Sequence, residues 1–299
     1  MKNRAVVGMA MVLLAAMLWG TTGTAQTLAP AGLPPHWVGT LRLLFSAAFF
    51  AVFVLGGQGP QPAWRTQFAQ VPWRWVLVAG ASMAAYNLSF FAGVRASSVA
   101  VGTAIALGSG PIWAGLLQLL VNRRSPAGAW WSGTLLAVAG GSLMVVGSAG
   151  KLGISAAGVG LCLVSGLSYA AYTLITKRMV SDTPAAIVTL CIFSCATAVA
   201  LPLALAVSDW PQTSWSGWAV VVYLGVAATG VAYLLFTHAL QRISATTAVS
   251  MCLVEPLTAF VLAIVVIGER PPAAAFGGLL LVMLGLGMVV RAELRPAPR

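Results

Sequence analysis

The chain has little charge, and the charge that it has is almost all of one sign. Only 7% of its 299 residues are charged, and Lys and Arg number 16 against 5 Asp and Glu. A soluble globular protein carries roughly a quarter charged residues. A chain with so few polar groups cannot cover its surface against water, so its outer surface must face lipid.

Residues that build metal and catalytic sites are also scarce. The chain has 2 histidines, and its 4 cysteines lie inside apolar runs, where we interpret them as small buried hydrophobes. The sequence has no His-Glu-x-x-His run and no pair of aspartates inside the apolar runs, so it lacks the usual zinc and aspartyl machinery. Ser109 lies near a Gly-rich segment, but no histidine is placed to activate it. We predict no metal and no cofactor, and an intramembrane enzyme stays a distant alternative.

Long apolar runs dominate what is present. Hydrophobic residues make up 60% of the chain, and their runs last about twenty residues, the length that crosses a bilayer as a helix. The strands of a membrane barrel would instead alternate apolar and polar residues over short segments. The sequence therefore predicts an all-α polytopic membrane protein with ten transmembrane helices. The predicted spans are 6–28, 35–55, 74–94, 99–121, 128–148, 157–177, 184–207, 216–238, 244–267 and 273–291.

The formal net charge of +11 is distributed as a topology signal. Basic residues stand singly or in pairs between the apolar runs, which argues against nucleic-acid binding. Cytoplasmic loops are enriched in Lys and Arg, and the ten spans put twelve basic residues on one side and three on the other. Both termini are therefore predicted to be cytoplasmic. The three are Arg95, Lys151 and Arg270; the twelve are Lys2, Arg4, Arg65, Arg74, Arg123, Arg124, Lys177, Arg178, Arg242, Arg291, Arg295 and Arg299.

The segment 80–140 recurs in register, without a gap, at 225–285. Five of the matching pairs are Gly or Pro, the residues that fix backbone geometry. The chain is therefore predicted to consist of two five-helix repeats, 1–150 and 151–299. Because five is odd, the second repeat enters the membrane in the opposite sense, and inverted repeats place a substrate site near the midplane between them. The pairs include Gly80 with Gly225, Phe91 with Phe236, Pro111 with Pro256, Gly133 with Gly278 and Gly140 with Gly285.

Five spans carry polar and aromatic residues at steps of three or four, which places these residues on one face of each helix. Lipid offers such a face no hydrogen-bond partner, so we expect the faces to point inward. Single hydroxyls can simply join neighbouring helices, and a tyrosine taken alone can be an interfacial anchor. Several bulky amphipathic rings together favour a cavity. The candidate cavity residues are Trp19, Thr22, Ser82, Tyr86, Asn87, Tyr169, Tyr172, Tyr233, Met251 and Glu255.

Two prolines at repeat-related positions predict broken helices. Pro256 follows Glu255 in span 9, and Pro111 follows Gly110 in span 4. Proline removes a helical N–H and frees a carbonyl one turn earlier, so we expect both helices to bend or break at equivalent depths. Paired breaks of this kind point to a binding site. Glu255 is a candidate to contact substrate or a coupling proton, and an ordinary proline kink is the alternative.

Arg42 and the glycine-rich spans are interpreted as structural. Arg42, the second ionisable residue deep in a span, is expected to form a structural pair or to snorkel toward its helix end. Spans 5 and 10 carry a small residue every seven positions, which suits close helix packing. We assign these two spans to the scaffold or to a subunit contact.

Four short motifs and the duplication carry a resemblance to a known family. The motifs are Trp19-Gly20, Arg42, Glu255-Pro256 and Gly268-Glu269. Together with the repeat they resemble the ten-helix EamA-type branch of the drug/metabolite transporter superfamily. The resemblance implies a bacterial inner-membrane exporter of small metabolites, with a central cavity between helices 1, 3, 4, 6, 8 and 9. The first half departs from the pattern: Gly110-Pro111 stands where Glu-Pro is expected, and Asn122-Arg123-Arg124 where Gly-Glu should recur.

The aromatic candidates look most like the lining of the family's amino-acid exporters. We therefore predict outward transport of a small neutral or zwitterionic solute, an amino acid with aromatic ones included, by alternating access. An exporter of cationic drugs such as quaternary amines is the alternative. The predicted partners are a small-molecule substrate and the lipid bilayer; the direction of transport, proton coupling and self-association stay open.

Overall fold

The structure is a computed structural model that describes residues 2–27, 33–56, 64–96, 99–123, 125–147, 155–268 and 270–294. All regular structure in these residues is helical. Two π-helical segments, Val226–Val231 and Ala263–Ile267, continue α9 and α12. The helices are α1 (Lys2–Thr27), α2 (Pro35–Gly56), α3 (Trp64–Ala69), α4 (Trp73–Ala96), α5 (Val99–Asn122), α6 (Gly128–Gly147), α7 (Ala156–Met179), α8 (Ala185–Val207), α9 (Trp215–Gly225), α10 (Ala232–Leu240), α11 (Ala245–Met251), α12 (Val254–Leu262) and α13 (Ala273–Leu294).

Nine helical segments among the described residues are long and apolar enough to cross a membrane. Two of them are composite: α9 to α10 form one with the first π-helical segment, and α11 to α12 form another with the second. The remaining predicted span, 128–148, corresponds to α6. The prediction of an all-α polytopic membrane protein is confirmed.

Serine residues begin three of these helices. The side chains of Ser155, Ser214 and Ser244 each accept a hydrogen bond from the backbone N–H three residues later, at the starts of α7, α9 and α11. A helix start leaves several N–H groups without an intrahelical partner, and a serine oxygen satisfies one of them. Local sequence therefore sets where three of the site-bearing segments begin.

The repeat-related helices α6 and α13 pack against each other in antiparallel directions. A Cβ atom built on Gly133 would lie 2.7 Å from the Gly285 carbonyl oxygen, and one on Gly140 would lie 2.6 Å from the Gly278 carbonyl oxygen. Higher residue numbers on α6 contact lower residue numbers on α13, so the two helices are antiparallel. These equivalent helices of the two repeats therefore run in opposite senses. This is the geometry of an inverted repeat, and it explains why these four glycines recur at the offset of 145.

Other helix contacts occur twice: replacing each helix by its equivalent in the other repeat gives a second contact that is also present. Contact of α4 with α7 corresponds to that of α1 with α10, and contact of α5 with α7 corresponds to that of α1 with α12. The helices α2 and α8 contact each other across the centre, where Trp37 meets Ser208 and Phe50 meets Phe193. The main buried core lies where α1, α4, α7, α8, α10 and α11 converge.

Span 9 is interrupted at Cys252 and Leu253, which separate α11 from α12. Pro256 then lies in the first turn of α12, where its missing N–H leaves no intrahelical bond unmade. The amide of Glu255 bonds the Cys252 carbonyl at 2.8 Å, a tight turn that closes the gap. The break therefore precedes the Glu-Pro pair directly.

The expected break at Gly110 and Pro111 does not occur, because α5 runs without interruption through both residues. Proline removes a single helical hydrogen bond, and neighbouring helices support a helix that carries one. Here α7 packs so closely that a Cβ atom on Gly166 would lie 3.0 Å from the Ala106 carbonyl oxygen and 3.1 Å from the Gly110 nitrogen. A short helix, α3, lies in the connection between α2 and α4.

Part of the predicted organisation falls outside the described residues. The proposed boundary between residues 150 and 151 does, and so do Lys151, Arg124, Glu269, Arg295 and Arg299. The division into 1–150 and 151–299 and the cytoplasmic placement of both termini therefore stay predictions.

Candidate functional site

The five aromatic side chains predicted to line a cavity meet at the centre of the bundle. We call Trp19, Tyr86, Tyr169, Tyr172 and Tyr233 the aromatic cluster. The Trp19 ring centroid lies 4.9 Å from that of Tyr233 and 6.4 Å from that of Tyr169. Tyr169 lies 5.2 Å from Tyr86 and 6.2 Å from Tyr172, and Tyr172 lies 5.9 Å from Tyr233. Four helices, α1, α4, α7 and α10, thus contribute to one continuous set of rings.

Three phenylalanines extend the cluster and were not among the predicted site residues. Phe236 lies 5.5 Å from Trp19, Phe193 lies 4.9 Å from Tyr233, and Phe50 lies 5.2 Å from Phe193. A phenylalanine in an apolar span carries no polar signal that separates it from lipid-facing residues. For Phe236 a signal did exist, because it follows Tyr233 by three positions and therefore lies on the same helix face.

The rings of the cluster pack directly on one another. Tyr172 is fully buried, Trp19, Tyr169 and Tyr233 are buried, and Tyr86 is partly exposed. A cavity of about 420 Å³ lies elsewhere, between the ends of α2 and α8, where Phe53, Gln67 and Ile187 line it. The rings therefore fill the space between these helices, while Tyr86, Arg42 and Glu255 are partly exposed.

A positive charge from the first repeat faces the cluster. Arg42, about two turns inside α2, donates from Nε to Thr229 Oγ1 at 3.0 Å. Thr229 precedes Tyr233 by four residues, so the guanidinium group is held about one helical turn from the cluster. Of the two roles expected for Arg42, the structure shows the structural pair, with Thr229 as the partner. The side chain points into the bundle and does not snorkel toward a helix end.

A negative charge from the second repeat lies opposite. Glu255 is partly exposed and stands in the first turn of α12, where the helix dipole favours a carboxylate. Within the described part of the chain, no hydrogen bond reaches its carboxylate. Gly20 of α1 packs on the Glu255 backbone, since a Cβ atom at Gly20 would lie 2.7 Å from the Glu255 carbonyl oxygen. Helix α1 therefore holds this turn in place beside Trp19.

The other predicted site residues are placed less uniformly. Met251 is buried in α11, one turn before Glu255. Ser82 and Asn87 each donate to a backbone carbonyl four residues earlier in α4, at 2.8 and 3.0 Å. The structure thus brings the rings and Glu255 together, whereas Ser82 and Asn87 make their hydrogen bonds within their own helix.

Buried polar atoms without a partner occur on α1, and a group of three buried polar side chains lies between α7 and α10. Leaving a buried polar group unpaired costs about 1–3 kcal/mol, so such groups call for a functional explanation. A polar solute that passes between these helices would supply hydrogen-bond partners. Trp19 Nε1 and Thr22 Oγ1 have no partner among the described residues, whereas Tyr172 OH, Thr176 Oγ1 and Thr237 Oγ1 lie close enough to interact with one another.

One end of the bundle is tied together around the turn between α10 and α11. Lys177 of α7 donates to the Leu240 carbonyl. Glu293 of α13 accepts from the Ser244 backbone N–H at 2.9 Å, from the Ser244 hydroxyl at 2.8 Å and from the Thr247 hydroxyl at 2.6 Å. We call Lys177, Ser244, Thr247 and Glu293 the end latch. In the predicted orientation it lies at the cytoplasmic end.

The first repeat has no counterpart of the carboxylate in the end latch. The offset of 145 places Val99, Gly102 and Ser148 at the positions that correspond to Ser244, Thr247 and Glu293. None of the three carries a negative charge. The two repeats therefore differ in the charge that they carry at these positions.

Glu293→Ala is expected to loosen the end latch, because it removes three hydrogen bonds to a charged acceptor, each worth roughly 1.5–3 kcal/mol. The measurement uses Ala245→Cys, a buried position in α11, in a background without the native cysteines. Its reaction with an impermeant thiol reagent from the latch side should accelerate at least about tenfold. Arg291→Ala, exposed on the same helix, should leave the rate unchanged, and equal rates in all three proteins would contradict a closing role.

The two repeats of membrane-crossing helices are antiparallel, and charged and aromatic side chains lie between them. This arrangement defines a membrane transporter of the inverted-repeat class. Within that class, the chain belongs to the EamA-like transporter family, whose sequence pattern matches residues 6–146 and 156–291.

Two relatives and one solved structure agree with this assignment. An uncharacterized transporter of Bacillus subtilis (strain 168), YwfM, is 38% identical over 285 residues, which cover 94% of this chain and 93% of that protein. An uncharacterized transporter of Clostridium kluyveri is 29% identical over 132 residues, 42% of each chain. A protein of known crystal structure matches with a TM-score of 0.81 at 19% identity, over 96% of this chain and 97% of its own, which shows the shared fold.

Proposed function

We propose that this transporter exports amino acids, aromatic ones included, across the bacterial inner membrane. The observation that carries the proposal is the aromatic cluster between the repeats, with Arg42 held at Thr229 and Glu255 held against Gly20, the neighbour of Trp19. Aromatic rings contact an apolar side chain and also stabilise an ammonium group. One positive and one negative group suit a solute that carries one charge of each sign.

Alternating access is the proposed route. Equivalent helices of the two repeats run antiparallel and are related by a pseudo-two-fold axis in the membrane plane. This symmetry lets an arrangement open to one side of the membrane convert into the equivalent arrangement open to the other side. The end latch ties one side through Lys177 and Glu293, while its polar groups do not recur in the first repeat. Exchange of these contacts would expose the rings first to one side and then to the other.

The orientation belongs to the same proposal. The excess of Lys and Arg in alternate loops supports cytoplasmic termini, since cytoplasmic loops carry more basic residues. In that orientation the end latch faces the cytoplasm. A transporter closed at that side has its substrate site sealed from the cytoplasmic supply until the latch opens.

Uptake into proteoliposomes tests the substrate class. The purified protein is reconstituted, and a panel of labelled amino acids is offered with phenylalanine, tryptophan, alanine, lysine and glutamate as members. We expect uptake of phenylalanine and tryptophan above that of protein-free liposomes, and little uptake of glutamate. Absence of uptake for every amino acid would contradict the proposal.

A transporter of quaternary amines is the second candidate, and one observation favours it. The Glu255 carboxylate has no hydrogen-bond partner among the described residues and lies beside aromatic rings, an arrangement that also suits a cation. Competition separates the candidates: tetramethylammonium and choline should not reduce phenylalanine uptake if amino acids are the substrates. Uptake of a labelled quaternary amine alone would favour this second candidate.

A further inference from the structure

Arg42 has more hydrogen-bonding capacity than its surroundings use. A guanidinium group carries five N–H donors, and the structure shows one of them, on Nε, bound to Thr229. The side chain is partly exposed inside the bundle, where lipid provides no partner. The remaining donors on the two terminal nitrogens form the fork that binds a carboxylate in bidentate fashion.

The surrounding backbone holds Arg42 in this position. Thr229 lies in the π-helical segment Val226–Val231 and donates from its hydroxyl to the Leu224 carbonyl at 2.7 Å, so its oxygen has a fixed direction. π-helical turns are rare and frequently occur at functional sites. Phe49 of α2 packs on this segment, since a Cβ atom at Gly230 would lie 2.7 Å from its ring. Helix α2 is therefore registered against the turn that receives Arg42.

Glu255 supplies the complementary charge from the second repeat. The interruption at Cys252 and Leu253 places its carboxylate in the first turn of a new helix, and α1 supports that turn through Gly20. The cost of an unpaired charge in a membrane helix is high, and such residues mark substrate or ion pathways. Arg42 reaches the second repeat at Thr229, and Glu255 lies in the next span of that repeat.

We propose that Arg42 and Glu255 together bind the two charged groups of an α-amino acid, its carboxylate and its ammonium group. Arg42 binds the substrate carboxylate through its terminal nitrogens, and Glu255 binds the substrate ammonium group. The rings of the aromatic cluster contact the side chain. This inference rests on the proposed function and narrows it, because solutes with a single charge leave one of the two protein charges without a partner and bind more weakly.

Three ligands of nearly equal shape separate the two charges. Phenylalanine carries both, phenylalaninamide carries only the ammonium, and 3-phenylpropionate carries only the carboxylate. Equilibrium binding of each is measured on the purified full-length wild type and on Arg42→Gln and Glu255→Gln. Arg95→Gln, which removes an exposed arginine, is the matched control. Size-exclusion elution and thermal midpoint of each variant confirm that it is folded.

The expected result is a crossed pattern of affinities. Wild-type protein should bind phenylalanine at least roughly tenfold more tightly than either single-charge ligand, as loss of one charged hydrogen bond implies. Arg42→Gln should weaken phenylalanine about tenfold or more and leave phenylalaninamide within about twofold. Glu255→Gln should weaken phenylalanine and phenylalaninamide but not 3-phenylpropionate. Arg95→Gln should match the wild type.

Two other outcomes overturn the inference, each for a different reason. If Arg42→Gln weakens all three ligands equally, or if the wild type binds phenylalaninamide as tightly as phenylalanine, the arginine has only a structural role while the proposed function stands. If the wild type binds no phenylalanine but binds choline, the proposed function itself fails, and the charge assignment fails with it.

Discussion

Gly140→Ala is expected to disrupt the packing of α6 on α13 and to destabilise the protein severely. The new Cβ atom would lie 2.6 Å from both the Gly278 carbonyl oxygen and the Val282 nitrogen. Both are backbone atoms, so no side chain can move aside, and the two helices must separate along the seam. Overpacking a tight core costs about 1–3 kcal/mol even when side chains adjust, and we expect at least that loss here.

Gly287→Ala is the matched control for this prediction. Gly287 lies on α13, the helix that Gly140 of α6 packs against, but a Cβ atom at Gly287 would have no atom within 4 Å. The measurement is the yield of monodisperse protein after extraction in mild detergent, followed by its thermal midpoint. Gly287→Ala should match or exceed the wild type, since alanine favours helix over glycine. A normal thermal midpoint for Gly140→Ala would show that the seam is not tightly packed.

Trp19→Ala is expected to reduce transport of phenylalanine at least tenfold. Trp19 contacts Tyr169, Tyr233 and Phe236 with ring-centroid distances of 6.4, 4.9 and 5.5 Å. It therefore joins rings from α7 and α10, and its removal opens the contact between repeats as well as removing an apolar surface for the substrate. Truncation of a buried tryptophan also costs roughly 3–5 kcal/mol of stability, so folding has to be measured separately.

Two further variants distinguish a site effect from a folding effect. Trp19→Phe keeps an aromatic ring while it removes the unpaired Nε1 group and part of the ring volume, and we expect it to fold and to retain a substantial part of the transport. Trp215→Ala removes a tryptophan that is 91% exposed and should transport like the wild type. Initial rates per folded protein, in proteoliposomes, provide the comparison. A folded Trp19→Ala protein with wild-type rates would remove the aromatic cluster from the transport path.

The faces of the aromatic cluster were predictable because helical periodicity is local. Tyr169 and Tyr172 share a face of α7 whatever the rest of the chain does, and lipid excludes an unpaired polar face. The glycine pairs were predictable for a related reason: Gly133 and Gly278 recur at one offset because both copies pass through the same kind of close contact.

The direction of Arg42 was not predictable from its own helix. Its position on α2 allowed a snorkelling arginine as well as a paired one, and only the π-helical turn that carries Thr229 decided between them. Phe193 and Phe50 are similar cases, since apolar residues in an apolar span give no sign of which neighbour they will meet. Pro111 shows the converse, because the close approach of α7 keeps α5 continuous where a proline alone predicts a break.

The sequence alone determined the class, the number of predicted spans, the duplication and the faces that avoid lipid. These follow from composition, run length and short-range periodicity, each of which depends only on neighbouring residues and the solvent around them. Tertiary structure alone decided which helix faces meet, where a helix breaks and in which direction the charged side chains point. Those outcomes depend on packing between residues far apart in the chain, such as Trp19 with Tyr233 and Arg42 with Thr229.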